Sequence, residues 1–166
     1  MKITLVTVGK IKERYFEDAI REYAKRLSRY CKLDIIQVAD EKTPDGAGEA
    51  IERQIKEKEG QRILSNIKDG AYVIALAIEG KMLTSEELAG RIQRLGVDGV
   101  GHIVFVIGGS LGLSGDVMKR ADFALSFSKM TFPHQLMRVV LLEQVTGVTG
   151  LFRGSRIINN RRSMFV

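Results

Sequence analysis

Two short, uninterrupted apolar runs, Ala71–Ile78 and Ile103–Ile107, constrain this chain more than any other feature. A strand with one wet face alternates apolar and polar residues. An unbroken apolar run bounded by turn signals fits a strand buried on both faces, as in a parallel sheet between two layers of helices. The flanking segments have the periods that such a sheet needs. Lys2–Val8 is a β-rich strand ending at Gly9, and Leu33–Val38 is a second strand. Between them, Lys12–Arg29 places Ile11, Tyr15, Ala19, Tyr23, Ala24 and Leu27 at helical spacing. Asp40–Gly48, with Pro44, Gly46 and Gly48, is a loop, and Glu49–Asn66 is a charged helix with Ile51, Ile55, Ile63 and Leu64 inward. Thr84 and Glu87 form a capping box that opens a helix to about Leu95. Gly96–Gly101 is a loop that includes His102 at its margin. Asp116–Ala121 is a short helix and Phe123–Phe127 a short strand, and Pro133 opens a last helix to about Val145. Strands alternating with helices predict an α/β fold: a mainly parallel sheet with helices on both faces.

The 166 residues suit one domain spanning 1–166, with enough chain for a proper core. The single cysteine, Cys31, excludes an internal disulfide and fits a reducing compartment. Met1–Val8 passes directly into charge, without the pattern of a signal peptide, and no apolar run approaches the ~20 residues of a membrane helix. A cytoplasmic protein with no membrane partner is expected. A net charge of +6 permits a polyanionic partner without requiring one. Two histidines and one cysteine at unhelpful spacing argue against a metal site.

Ligands of such sheets gather at the carboxyl ends of the strands. Three of those ends stand out: Glu79-Gly80, Gly108-Gly109, and Ser128–Phe132. Gly108-Gly109-Ser110-Leu111-Gly112 lacks the Lys-Ser/Thr of a phosphate loop, and it lacks the dinucleotide spacing with a ribose acid. A triphosphate or dinucleotide is therefore not expected, although the glycines let backbone lie against a flat ligand. His134 and Arg138 are four apart, hence on one helix face: either a solvated surface, or a proton carrier and an anion holder beside a pocket. Met118, Met130 and Met137 read as packing residues. The residues alone lead to an α/β domain with a glycine-lined apolar pocket, no metal and no phosphate loop.

The run from Phe105 (Phe-Val-Ile-Gly-Gly-Ser-Leu-Gly-Leu-Ser), the run from Leu125 (Leu-Ser-Phe-Ser-Lys-Met-Thr-Phe-Pro-His-Gln-Leu-Met-Arg) and Leu142-Glu-Gln resemble the large-subunit ribosomal RNA pseudouridine N3-methyltransferase family (RlmH), of the SPOUT class. The likeness extends to Leu5-Val-Thr-Val-Gly-Lys and Val73-Ile-Ala-Leu-Ala-Ile-Glu-Gly-Lys, and covers Met1 to Val145. It implies a C-terminal trefoil knot, a rare exception to the rule against knotted chains. It also implies a homodimer with the active site shared across the interface, and S-adenosyl-L-methionine bent into three knot loops. By position, the cofactor-binding residues would be Leu76, Gly108, Phe127, Ser128, Lys129, Met130, Thr131 and Phe132. The implied reaction methylates N3 of a pseudouridine in 23S ribosomal RNA on the assembled ribosome. His134 and Arg138 are the candidate catalytic residues, orienting substrate or RNA backbone. The competing reading is a non-catalytic RNA- or ribosome-binding module on the same fold. A metabolic enzyme would need acid and base residues that are not apparent.

The likeness stops at Val145. Family members continue into Tyr-Arg and end near Pro-Tyr-His-Lys, whereas Thr146–Val166 carries Thr146, Gly147, Thr149, Gly150 and Gly154 where helix formers are expected. These predict fraying of the last helix. A change of reading frame over 146–166 would account for the difference, chance divergence being the alternative. Gly154–Asn160 encoded as GGG AGC CGT ATC ATA AAT AAC regroups to GAG CCG TAT CAT AAA TAA, or Glu-Pro-Tyr-His-Lys-stop. Arg153, Arg156, Arg161 and Arg162 keep positive charge without the family's residues. The expected consequence is a chain that folds and dimerises but binds cofactor weakly and methylates poorly.

Overall fold

The computed structural model describes residues 1–152. Five strands form one sheet in the order β2-β1-β4-β3-β5, with every neighbouring pair parallel. The strands are β1 (Lys2–Val8), β2 (Lys32–Val38), β3 (Tyr72–Met82), β4 (His102–Ile107) and β5 (Phe123–Ser126). The helices are α1 (Arg14–Leu27), α2 (Glu49–Leu64), α3 (Ser85–Val97), α4 (Gly115–Arg120) and α5 (His134–Phe152).

The pleat divides the core in two. Ile3 and Leu5 of β1 and Ile103, Phe105 and Ile107 of β4 point to one face, where Leu27 of α1, Leu88 and Ile92 of α3, and Leu141, Leu142, Val145 and Val148 of α5 cover them. Val6, Val8, Val104 and Val106 point to the other, against Ile63 of α2 and Val117 of α4. Burial on both faces is why β4 and the first half of β3 read as continuous apolar runs. Gly60 inside α2 permits the close approach of α2 to α4: a Cβ there would stand 2.3 Å from the Ser114 hydroxyl.

The capping box of α3 is formed as expected. Glu87 N–H donates to Thr84 Oγ1 at 3.1 Å, and Thr84 N–H donates to Glu87 Oε2 at 2.7 Å. Other expectations need correction. Tyr15 and Ile51, expected inward, are exposed, while Glu59 and Gly60 occupy the buried face of α2. His102 opens β4 rather than lying in a loop, and its Nε2 is 2.7 Å from Thr4 Oγ1. Pro133 stands just before α5 and accepts, through its carbonyl, the Met137 N–H at 3.0 Å. The expected fraying after Val145 is absent as far as Phe152. Thr146 and Thr149 direct their hydroxyls back to the Leu142 and Val145 carbonyls, at 2.6 and 2.9 Å, so these polar side chains stay satisfied on a packed helix. The arginines at 153, 156, 161 and 162, and the part of the proposed out-of-frame segment 146–166 that follows Phe152, lie outside the described residues.

The strand that departs most from its sequence pattern matters most for the site. β3 does not end at Ile78. Its register against β5 runs Ile74–Phe123, Ala75–Ala124, Leu76–Leu125, then resumes with Lys81 opposite Leu125 and Met82 opposite Ser126. Residues 77–80 thus form a large bulge that turns away from the ladder at its carboxyl end. Gly80 permits it, because a Cβ there would lie 2.8 Å from the Ala124 carbonyl group and from Leu125 C, a backbone-on-backbone clash.

Candidate active site

A cavity of about 790 Å³ opens at the carboxyl ends of β3, β4 and β5, within the size range of small-molecule sites. Its first wall is the β3 bulge, Leu76 to Glu79. The second is the glycine turn after β4, Gly108 to Leu113. Here Gly112 has φ +87°, open to glycine at little cost, and its N–H donates to the Gly109 carbonyl at 3.1 Å. Gly108 sits directly beneath the turn, where a Cβ would stand 2.7 Å from Gly112 C and 2.8 Å from its O. The third wall is Ser126 to His134, apart from Lys129, with Met137 one turn into α5. Ser128 shapes it twice: its carbonyl accepts from Ser126 Oγ at 3.0 Å, and its hydroxyl accepts from Met130 N–H at 2.9 Å.

The lining is apolar and small, with Lys56, Glu79 and His134 as its ionisable side chains. Ile78, Met130 and Phe132 at the lining remain exposed to solvent. Such a surface suits a flat, weakly charged ligand held by backbone amides and aliphatic groups. At Gly108 the absent side chain lets the turn close tightly. His134 supplies a second observation: its Nδ1 is buried and has no partner among the described residues.

His134 is half-buried at the start of α5. Burial first, and then the charge of Arg138, pull its pKa below the ordinary imidazole range, while Asp40 opposes them. The ring is therefore neutral near pH 7 and able to accept a proton. Arg138 lies elsewhere than its polarity suggests. It is 1% exposed and is not part of the cavity lining. Its Nη2 donates to the carbonyls of Val8, at 2.7 Å, and Gly9, at 3.1 Å.

The structure thus gathers seven of the eight candidate cofactor residues, Leu76, Gly108, Phe127, Ser128, Met130, Thr131 and Phe132, around one cavity, together with His134. Lys129 is exposed and does not line it. Met118, Met130 and Met137, read as packing from the sequence, all line the cavity. Sequence reasoning missed Lys56 altogether. It belongs to α2, far away along the chain, and carries no local signal. Among the described residues, no group of three or more His, Cys, Asp or Glu could hold a metal ion, and no helix is long and apolar enough to cross a membrane.

Comparison with known proteins agrees with this geometry. The chain is 68% identical over 145 residues to the ribosomal RNA large subunit methyltransferase H of Bifidobacterium adolescentis, covering 87% of this chain and 91% of that protein. It is 62% identical over 158 residues to the protein of the same name from Clostridium beijerinckii, covering 95% and 96%. A Clostridium perfringens relative is 59% identical over 160 residues, covering 96% and 97%. Residues 1–162 match the family described as "Predicted SPOUT methyltransferase", so the match runs past Val145, where the sequence likeness was expected to end. With its all-parallel sheet and three-walled cavity at the strand ends, the chain belongs to the SPOUT methyltransferase family, whose α/β fold is knotted.

Proposed function

We propose that this protein methylates N3 of a pseudouridine in 23S ribosomal RNA on the assembled ribosome, as a cytoplasmic homodimer using S-adenosyl-L-methionine. One observation carries the reading. Three chain segments distant in sequence converge on a single glycine- and apolar-lined cavity, in a chain 62% identical over nearly its whole length to a ribosomal RNA methyltransferase.

When bound, S-adenosyl-L-methionine supplies a methyl group already activated on a sulfonium. The protein's tasks are to hold, to align and to manage one proton. Leu76, the backbone at Gly108, and Phe127, Ser128, Met130, Thr131 and Phe132 would hold the cofactor, and the absent Cβ of Gly108 lets the glycine turn close over that wall. The substrate imide must lose its N3 proton as its N3 takes the methyl group, the methyl–sulfur bond breaking to leave a neutral thioether. His134, neutral and lining the cavity, accepts that proton. The exposed apolar side chains of Ile78, Met130 and Phe132 offer a surface against which an unstacked base packs. The altered tail from Thr146 removes the family's terminal Tyr-His-Lys, so turnover by this chain is expected to be severely impaired.

The test is methylation of ribosomes that lack the modification, with this chain and a version carrying the regrouped Tyr-Arg to Pro-Tyr-His-Lys tail side by side. Calorimetric titration with S-adenosyl-L-methionine accompanies it. Turnover that appears or rises with the restored tail is the expected result. Absence of cofactor binding in both forms overturns the enzyme reading and leaves a non-catalytic ribosome-binding module. Codons that do not regroup into that tail overturn the frame change.

A further inference from the structure

We propose that Arg138 is a positioning residue that pins α5 to the turn after β1 and thereby sets where His134 stands in the cavity wall. It would then be neither an RNA-binding nor a cofactor-binding group. The role of His134 rests on the function proposed above; the pinning itself does not.

Arg138 is among the largest fully buried side chains of the protein. A buried guanidinium remains charged, and that is costly unless it is well partnered. Here the partners are the Val8 and Gly9 carbonyls, both reached by Nη2. Nε and Nη1 are buried with no partner among the described residues. If packing alone were needed at this position, an apolar side chain of similar volume would serve at least as well. What the guanidinium adds is direction. It ties a helix to two particular carbonyls at the end of a central strand.

Those carbonyls belong to a turn that is fixed from its other side too. Gly9 has φ +84°, and its N–H donates to the Val38 carbonyl at 2.8 Å. The turn after β1 is therefore held to β2 through Gly9 N–H and to α5 through Arg138. His134 lies four residues before Arg138, one turn back on the same helical face, and Met137 is its neighbour. Both His134 and Met137 line the cavity, whereas Arg138 does not. Between β5 and α5, the third wall is shaped by the Ser126–Ser128–Met130 hydrogen bonds. The clamp at Arg138 is what places the far end of that wall. The charged groups acting on His134 are Arg138 on its own helix and Asp40 in the loop after β2. Arg138 favours the neutral ring and Asp40 the protonated one.

Two variants separate position from charge. Arg138→Lys keeps the charge and loses the fork geometry. Arg138→Met loses both. Three quantities are read on each: the His134 imidazole titration by NMR, turnover on unmodified ribosomes in the tail-restored protein, and the salt dependence of ribosome binding. Pinning predicts that turnover falls in both variants, by ten- to a hundredfold as an order of magnitude for a misplaced catalytic group. The His134 titration midpoint moves in both variants, because displacement changes the burial of the ring, and Arg138→Met adds a rise from the lost charge. The salt slope is unchanged. A salt slope reduced by about one unit would show that Arg138 neutralises a phosphate, and would overturn the proposal. So would wild-type turnover in Arg138→Lys. If Arg138→Met does not fold, Arg138→Lys still decides. If the tail-restored protein with Arg138 intact shows no turnover, the proposed function fails. The NMR spectra then decide for Arg138: pinning requires the Val8, Gly9 and His134 signals to move together in Arg138→Lys, and unmoved signals overturn it.

Discussion

Replacing Gly108 by alanine adds one methyl group at the most crowded point of the cavity floor. The new Cβ would stand 2.7 Å from Gly112 C, 2.8 Å from Gly112 O and 3.1 Å from Leu113 Cδ2. Carbon atoms in contact sit about 3.5–4.0 Å apart, so the overlap with Gly112 is close to 1 Å. Both of the nearest atoms are backbone, and no rotamer change relieves the clash. The turn from Gly109 to Gly112 must lift, which strains or breaks the Gly112 N–H to Gly109 carbonyl bond. Overpacking of this kind costs about 1–3 kcal/mol, equivalent to a fall in Tm of roughly 2–12 °C for a chain of this size. Because the turn is also a cavity wall, affinity for S-adenosyl-L-methionine should weaken by roughly tenfold for each 1.4 kcal/mol that reaches the bound state. The control is Gly101→Ala, at the opposite end of β4, where a Cβ meets nothing within 4 Å. That variant should stay within about 0.5 kcal/mol of the parent. Thermal unfolding and calorimetric titration with the cofactor measure both effects. A Gly108→Ala protein with parental Tm and parental affinity would refute the reading of this turn as a close-packed cofactor wall.

Thr84→Ala removes one half of the α3 capping box; a loss of about 1 kcal/mol in chemical denaturation is expected, and no loss would mean that water replaces the cap. Leu141→Ala empties a site 1% exposed at the interface of α5 with the sheet, with an expected cost of about 2–5 kcal/mol by the same assay. Glu59 gives a pH signature. Burial raises its pKa above the ordinary carboxylate range, Asp40 and the Glu41 side chain add to this, and the Glu41 N–H and Arg62 oppose it. A carboxyl with a raised folded pKa stabilises most below its unfolded pKa, and that contribution is lost as pH rises through the folded value. Glu59→Gln keeps an acceptor for the Glu41 N–H and cannot ionise, so it should match the parent in acid and gain on it toward pH 8. A stability difference that does not change with pH would contradict this.

The strand framework was legible in the sequence because burial on both faces makes β4 after His102 and the first half of β3 continuous apolar runs, while β1 admits only the small threonines Thr4 and Thr7 as buried polar residues. The cavity walls were legible because glycine and short apolar side chains gather at strand ends, where the ligands of such sheets bind. The likeness to the methyltransferase family then assigned them individually. The end of β3 was not legible, since Ile78 to Met82 mixes exposed and polar residues. What holds that segment is pairing with β5, which begins some forty residues later. Glu59 was hidden for a similar reason. Its carboxylate is accommodated by the Glu41 amide and by the bare Gly109 Cα on another element, 3.2 Å from where a Cβ would be. Only Gly60, one residue on, hinted that this side of α2 is in close contact.

The sequence by itself determined the α/β class, the parallel sheet, the glycine turn and the candidate cavity residues. These follow from local periodicity and from side-chain size, both of which are written residue by residue. It placed His134 and Arg138 on one helical face, and there its reach ended. Tertiary structure alone decided that the two diverge in role, with His134 lining the cavity and Arg138 turned inward to the Val8 and Gly9 carbonyls. A helical period tells which residues share a face. It does not tell which backbone carbonyls, 130 and 129 positions away in the chain, will be waiting opposite that face.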